Sequence, residues 1–466
     1  MGDPDGMPTP APPPSEPAAP PRRLLGVLFL GTLLAALDIA LVGPALPALR
    51  EAFDLGERAV SWTFTAFVLA NLAGLPVMAA LSDRAGRRTV YLADVALFAV
   101  GTVVVVLAPS FAVLLAGRVV QGLGASGIFP VASAVVGDTF PPEKRGRAVG
   151  LLGAVFGVAF LIGPALGGVV LALASWRWLF ALTLPLAAAV FVLSARVLPD
   201  TRAATPRPVD RAGIALLVIG LVALAFGLSG LDVGDLGASL TGPLVWGPLA
   251  LAAASLAAFA AVERRVAAPL VRPGLVARRH VRIACALAVG AGLVEATFVF
   301  LSAYAVGAFG VTKAQGSYLL LPLVLGVAVG SPLAGRLLDR VGARPVVTSG
   351  CVLVAVGLAV VATGPTLPVH VVGTLLIGTG LAGLLGSSIS YILLAEAKAE
   401  ERTVAQGLST LALSVGQLVG GALVGAIAAS AVAPVVGYRT AFALIAGVAV
   451  ALALVAQGLR RAPAVA

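Results

Sequence analysis

Three ionisable residues stand deep inside apolar runs of the chain: Asp38, Arg118 and Glu295. An acid held out of water can bind and release a proton; burial opposes its charge and a neighbouring arginine favours it, so movement that changes either one couples protonation to conformation. With a rise of about 1.5 Å per residue, Asp38 lies roughly 12 Å from the end of its run and Arg118 roughly 10 Å from the start of its own, which puts them at similar depth. The alternative is a static ion pair that only sets helix packing. Glu295 lies roughly 18 Å into its run, near the middle, and suits a second proton site, an anion for a cationic ligand, or a lone acid that stays neutral. Asp94 is about one turn into its run, beside a basic segment, and is expected to pair with Arg84, Arg87 or Arg88.

Other chemistries find little support. Cys285 and Cys351 both sit within apolar runs and read as small hydrophobes rather than as disulfide partners or metal ligands. His280 and His370 stand at run ends with no ligand-spaced neighbours and read as interfacial residues. Gly122-Leu123-Gly124-Ala125-Ser126-Gly127 has the spacing of a dinucleotide loop, but no strand precedes it, and small-residue helix packing explains it. The sequence contains no Walker A motif, so energy from ATP by that route is excluded. No metal or organic cofactor is expected; an ion gradient, substrate gradients or a partner would supply the energy.

The elements that carry these residues are set by hydropathy. Of 466 residues, 59% are hydrophobic and 11% charged, against about 25% charged in a soluble domain. Mean hydropathy is +1.05. A polytopic membrane protein is the consequence. Fourteen apolar stretches are long enough to span, near 24-46, 60-81, 89-108, 111-136, 148-173, 178-198, 212-230, 243-262, 283-309, 316-337, 346-363, 368-394, 404-429 and 438-458. Residues 1-23, rich in Pro and Ala, read as a disordered cytoplasmic tail, with the first run uncleaved.

The net charge of +10 does not indicate nucleic acid, because the basic residues cluster in the gaps between spans. With both termini inside, outer loops hold only Arg50, Arg58, Arg177, Lys313 and Arg439 of the 31 Lys and Arg; nearly all the rest fall on the cytoplasmic side. Only three of the 31 are lysine, a bias that suggests a GC-rich bacterial genome; the expected location is the bacterial cell (inner) membrane, with both termini cytoplasmic.

One polar break occurs twice. Ser82-Asp83-Arg84-Ala85-Gly86-Arg87-Arg88 returns as Leu338-Asp339-Arg340-Val341-Gly342-Ala343-Arg344, both copies on the cytoplasmic side. Internal repeats mark secondary transporters. The two acids stand 256 positions apart, whereas six spans with short loops need only about 180 to 200 residues at roughly 20 per span. The surplus matches the stretches at 212-262. The chain therefore divides into an N-terminal six-helix bundle (24-198), a linker carrying two inserted spans (199-282) and a C-terminal six-helix bundle with a short tail (283-466).

These residues carry a resemblance. The turn Asp83 to Arg88, with Ala79 where glycine is usual, is similar to the signature of the major facilitator superfamily. Arg118-Val119-Val120-Gln121-Gly122 matches its intramembrane arginine motif. Gly150 to Gly168, ending Gly163-Pro164-Ala165-Leu166-Gly167-Gly168, resembles the run associated with antiporters, with Ala159 replacing its middle glycine. Leu37 to Pro47 and Ser175 to Phe180 are similar to stretches of the fourteen-span drug:proton antiporters of the EmrB/QacA type.

The resemblance covers nearly everything after Arg22. It implies an all-α membrane protein of the major facilitator fold, two six-helix bundles plus two inserted transmembrane helices. It also implies export of amphipathic small molecules in exchange for protons. In that reading Asp38, Arg118 and Glu295 couple the proton. Asp83, Arg84, Gly86, Arg87, Arg88, Asp339 and Arg340 form conformational latches, the first stronger than the second. Gly150, Gly163, Pro164, Gly167 and Gly168, with Gly157, make a close-packed gate, the alternative being a purely structural kink at Gly163-Pro164. Asn71, Gln121 and Gln417 line the substrate cavity, Glu295 facing Asp38 across it. Uptake of a nutrient or metabolite by symport or facilitation is the competing transport reading, although so few polar lining residues are poor for a sugar. Partners would be the small molecule, protons and the bilayer, with the chain a monomer.

Overall fold

The computed structural model describes residues 22–202, 210–266, 269–271, 273–364, 366–385, 387–396 and 402–460. The tail expected over 1-23 lies outside these residues up to position 21. Among them, fourteen helices are long and apolar enough to cross a membrane, and no strand occurs. They are α1 Arg22–Ala52, α2 Glu57–Ala85, α3 Arg87–Leu107, α4 Phe111–Thr139, α5 Arg147–Leu173, α6 Arg177–Val197, α7 Arg211–Ser229, α8 Pro243–Glu263, α9 Arg279–Phe309, α10 Lys313–Val341, α11 Ala343–Thr363, α12 Leu367–Leu393, α13 Ala405–Ser430 and α14 Pro434–Ala456. Each falls on an apolar run of the sequence. Several overrun it, because the backbone hydrogen-bond ladder continues past the hydrocarbon core; α1 reaches Ala52, and the chain leaves it through Asp54 at φ 50°.

Helices α1–α6 pack among themselves, as do α9–α14, while α7 and α8 pair with each other. Both copies of the repeated turn are one residue long. Gly86 joins α2 to α3 at φ 104°, and Gly342 joins α10 to α11 at φ 79°, conformations open to glycine and strained for residues with a Cβ. The repeat extends further than the turns. Trp176-Arg177-Trp178-Leu179-Phe180-Ala181 at the start of α6 corresponds to Tyr438-Arg439-Thr440-Ala441-Phe442-Ala443 in α14. Arg177 donates to the carbonyls of Val106 and Ala108 (both 3.1 Å) at the end of α3. Arg439 does the same for Ala362 (2.5 Å) and Thr363 (3.5 Å) at the end of α11. Each arginine thus satisfies helix-end carbonyls and meets the negative end of the helix dipole.

The bundles meet on one side. Call the side of the Gly86 and Gly342 turns the turn side, and that of Glu57 and Lys313 the far side. On α5 the change along the helix is sharp: a Cβ added at Gly150, Gly153 or Gly157 would meet nothing within 4 Å. One at Gly163 would lie 2.6 Å from the Ala40 side chain, one at Gly167 2.7 Å from both Pro44 and Ser317, and one at Gly168 2.2 Å from the Tyr318 ring. Likewise on α13, Gly407 is open, whereas Gly421 and Gly425 abut Phe64 and Ser61 of α2. The far-side half of α1 from Ala36 to Leu49 is almost wholly buried. Helices α1, α2 and α5 meet α9, α13 and α10 there. The bundles are closely packed on the far side, whereas on the turn side these glycines have open space beside them, and the turn side is the open one in that sense.

The inserted pair takes part in that closure. Helix α7 packs against α2 of one bundle and α13 of the other. The Leu231 carbonyl, just past its end, accepts from Arg58 Nη2 (3.0 Å) and from Ser430 Oγ (3.4 Å), one residue from each bundle. Trp62 and Phe226 pack at a tilt beside them, ring centroids 4.6 Å apart.

Candidate functional site

The deepest polar cluster is built across α1, α3 and α4, against α2. Arg118 is fully buried and donates through Nη1 to Asp38 Oδ2 (2.7 Å) and to Gln121 Oε1 (2.8 Å), and through Nε to the Thr63 carbonyl (3.0 Å). Gln121 Nε2 in turn donates to Asp38 Oδ1 (3.2 Å) and to Thr102 Oγ1 (2.9 Å). The guanidinium lies 4.3 Å from the Phe67 ring centroid and 5.6 Å from that of Phe180, geometry in which a cation is attracted by the aromatic faces. Asp38 is wholly buried. Arg118 Nη2 has no partner. A buried charge pair survives out of water only when its remaining hydrogen-bonding atoms are satisfied, and Gln121 and the Thr63 carbonyl do most of that here.

The placement corrects one expectation. Gln121, read as a cavity-lining residue, is fully buried and belongs to the Asp38 network. Nor does Asp38 face Glu295 across a cavity, since its partners all belong to the first bundle. Glu295 on α9 is partly exposed and accepts from Gln417 Nε2 of α13 (3.0 Å), so it is a site of the second bundle. Asn71 on α2 is also partly exposed, its amide 3.5 Å from the Gly122 carbonyl. Glu295, Gln417 and Asn71 are each partly exposed, unlike Asp38, Arg118 and Gln121.

At the first turn, Arg87 bonds Asp83 and Ser82 Oγ and reaches Asp138 Oδ2 of α4 (3.2 Å), while Thr201 Oγ1 also donates to Asp138 (3.2 Å). Arg88 donates to the Ala195 carbonyl of α6. The turn thus ties α2, α3, α4 and α6 together. At the second turn, Asp339 and Arg340 are exposed, and Arg344, which follows it, bonds Gln457 Oε1 (2.7 Å).

Asp94 does not pair with the turn arginines. It is fully buried, its two carboxyl oxygens have no partner, and a Cβ at Gly127 of α4 would touch it. Seven residues separate it from Arg87, and that side chain turns instead to the acids beside it. His370 is likewise interior rather than interfacial: it packs among Tyr304 and Phe309, with neither ring nitrogen bonded. His280 lies 3.5 Å from Glu396, an ion pair when the imidazole is protonated.

Of the antiporter-like run, Gly163, Gly167 and Gly168 lie in the close-packed far side. Gly150 and Gly157 do not, since in this conformation they face open space. The helix continues through Pro164, whose carbonyl accepts from Ser317 Oγ of α10 (2.7 Å), a bond between bundles. The apolar contact there is tight: Ile39, Ala40, Phe160, Pro164, Phe298 and Val299 are among residues enclosing a void of only about 20 Å³, room for about one water.

Sequence reasoning missed the polar part of this closure. Glu57, at the start of α2 and 4% exposed, accepts a hydrogen bond from Tyr438 Oη of α14 and lies 2.5 Å from Arg50 Nη1. Lys313 of α10 pairs with Glu51 of α1 at 2.5 Å. The Tyr438–Glu57 and Lys313–Glu51 interactions cross between bundles. Their only sequence signal is the clustering of these charges in the loops after α1 and α9.

Comparison with known proteins agrees with this architecture. The family model described as "Major Facilitator Superfamily" matches residues 28–294 and 283–465. The MFS-type transporter YfiU of Bacillus subtilis is 32% identical over 84% of this chain and 77% of its own length. The puromycin resistance protein pur8 of Streptomyces alboniger is 34% identical over 73% of this chain and 67% of its own. Multidrug resistance protein Stp of Mycobacterium tuberculosis is 29% identical over 86% and 74%. Among solved structures, a D-xylose-proton symporter superposes with TM-score 0.68 at 16% identity, covering 94% of this chain and 98% of that one. The chain belongs to the Major Facilitator Superfamily, and its fourteen spans are those of the superfamily's drug:proton antiporter type.

Proposed function

We propose that the protein exports amphipathic small molecules, drugs or toxic metabolites among them, in exchange for protons by alternating access. The observation that carries this reading is the division of the two acids: Asp38 is sealed with Arg118 inside one bundle, while Glu295 is reachable from the open side in the other. Relatives named for multidrug and puromycin resistance support the substrate class. The turn side, which carries most of the arginines, is taken as the cytoplasm of a bacterial cell, so both termini are inside and the described state faces inward. The chain would work as a monomer in the inner membrane, with no cofactor besides the proton gradient.

In the inward-facing state the substrate enters beside Glu295, Gln417 and Asn71, where an otherwise apolar wall suits an amphipathic molecule. Protonation of Asp38 from outside removes the charge that holds Arg118. Removing one partner of a buried pair costs about 3–5 kcal/mol, enough to drive a rearrangement of α1 against α4. Release of that proton inward restores the pair.

The test is proton-driven uptake of a fluorescent substrate into everted vesicles, comparing wild type with Asp38→Asn and Glu295→Gln. Loss of proton dependence in either variant is expected. Uptake that persists unchanged in both would remove these acids from the mechanism. A growth-protection screen across dyes, quaternary ammonium compounds and antibiotics, in a host lacking its own pumps, would name the substrate.

A further inference from the structure

A second pair of acids lies at the turn-side base of the inserted helices. Asp210 precedes α7 and Glu263 ends α8; they are 8% and 4% exposed. Each uses one oxygen in a backbone hydrogen bond. Asp210 Oδ1 accepts from Gly213 N (2.8 Å), capping α7, and Glu263 Oε2 accepts from Val271 N (2.8 Å) in the connection towards α9. The other two oxygens, Asp210 Oδ2 and Glu263 Oε1, are buried and have no partner.

These oxygens converge. A Cβ built on Gly213 would lie 2.2 Å from Asp210 Oδ2 and 3.0 Å from Glu263 Oε1, so both flank one point, within hydrogen-bonding reach of each other. Two ionised carboxylates only accept hydrogen bonds and would repel here. No described cation answers them: Arg211, Arg264 and Arg265, their neighbours in the chain, are exposed, and no ion pair is formed with either acid. No third His, Cys, Asp or Glu joins them among the described residues, which leaves a metal ion short of ligands.

We propose that Asp210 and Glu263 form a binding site for a single shared proton. One hydrogen between Oδ2 and Oε1 satisfies both orphaned oxygens at once. The helix dipoles assign it: Asp210 at the N-terminus of α7 keeps the negative charge, and Glu263 at the C-terminal end of α8 carries the hydrogen. The bound proton fastens α7 to α8 and, through Val271, to the connection with the second bundle. Loss of the proton sets two like charges against each other and loosens the base of the insert. None of this depends on the transport reading.

The test uses the full chain in nanodiscs. Infrared titration should show the C=O stretch of a protonated carboxyl that disappears as pH is raised and is absent from Glu263→Gln. Asp210→Asn retains the cap through Oδ1, and its amide can donate to Glu263 permanently. Its thermal midpoint should stay level from mildly acidic to mildly alkaline pH, while that of wild type falls. An infrared band unchanged in Glu263→Gln would overturn the proposal even if Asp210→Asn failed to fold. So would a wild-type midpoint raised by sodium or magnesium but not by acid, which would make the pair a cation site.

Discussion

Removing one hydroxyl from the far-side closure should shift the conformational balance measurably. In Tyr438→Phe the ring keeps its stacking on Phe442 (6.3 Å between centroids) and its contact with Phe300 (6.1 Å), but Glu57 loses its bond to the other bundle. Glu57 Oε2 is then buried without that donor in the closed state, whereas in an outward-open state water would reach it. A hydrogen bond to a charged group contributes about 1.5–3 kcal/mol, and because the loss falls on the closed state alone, the opening equilibrium should rise by about tenfold to about a hundredfold. Val299, packed against Gly43 across the interface, offers the reporter. With Cys285 and Cys351 replaced by alanine, Val299→Cys should react with an impermeant maleimide from the far side only on opening. Tyr438→Phe should speed that reaction by the stated factor. Tyr304→Phe, which removes a bond to the Val361 carbonyl (3.2 Å) within one bundle, should leave it unchanged. A rate for Tyr438→Phe within about twofold of its background would refute the argument, since RT ln 2 is only about 0.4 kcal/mol.

Three further outcomes follow from the same geometry. Gly168→Val places its branch in the Tyr318 ring and should open the far side in the maleimide assay, whereas Gly150→Ala on the same helix meets nothing and should leave labelling unchanged, with stability unchanged or raised by up to about 1 kcal/mol through alanine's better helix propensity. Asp83→Asn should impair transport more than Asp339→Asn at equal expression, because Asp83 holds Arg87 while Asp339 is exposed; equal or reversed losses would contradict that ranking. Asp38→Asn should destabilise the first bundle by about 3–5 kcal/mol, read as a lowered unfolding midpoint, because Arg118 keeps its charge and loses its carboxylate.

The fourteen spans were legible because the bilayer imposes one length and one polarity on every helix, and the inserted pair because a repeat supplies its own scale. Asp38 and Arg118 were legible for a related reason: an ion in hydrocarbon is costly unless paired, so equal depth implied contact. Gln121 carried a signal that depth alone does not use. It stands three residues after Arg118, on the same helix face, so it shares that residue's surroundings rather than the cavity's. For Asp94, closeness in sequence to Arg87 misled: the two share a helix face but stand about 10 Å apart along the axis, and Arg87 turns to the nearer acids Asp83 and Asp138. The Arg177 and Arg439 caps were hidden because an arginine beside a membrane interface is common, and only its carbonyl partners, about 70 residues upstream in each half, distinguish it.

The closure was least legible because its parts are remote and individually ordinary. Glu57 and Tyr438 are 381 residues apart, and each reads as a loop or interfacial residue. Their physical role follows from what surrounds them. Apolar helix faces in a membrane gain little by choosing one another over lipid, so close packing of small residues and a few polar bonds must decide whether two bundles stay together. Here the packing comes from Gly43, Gly167, Gly168, Gly421 and Gly425, and the bonds from Glu57, Lys313, Ser317 and the Leu231 carbonyl. All of these bonds end on groups that water satisfies equally well once the interface parts. The closed state is therefore held by a small difference rather than a large sum, so a change of a few kcal/mol at any one of these contacts is enough to reverse it.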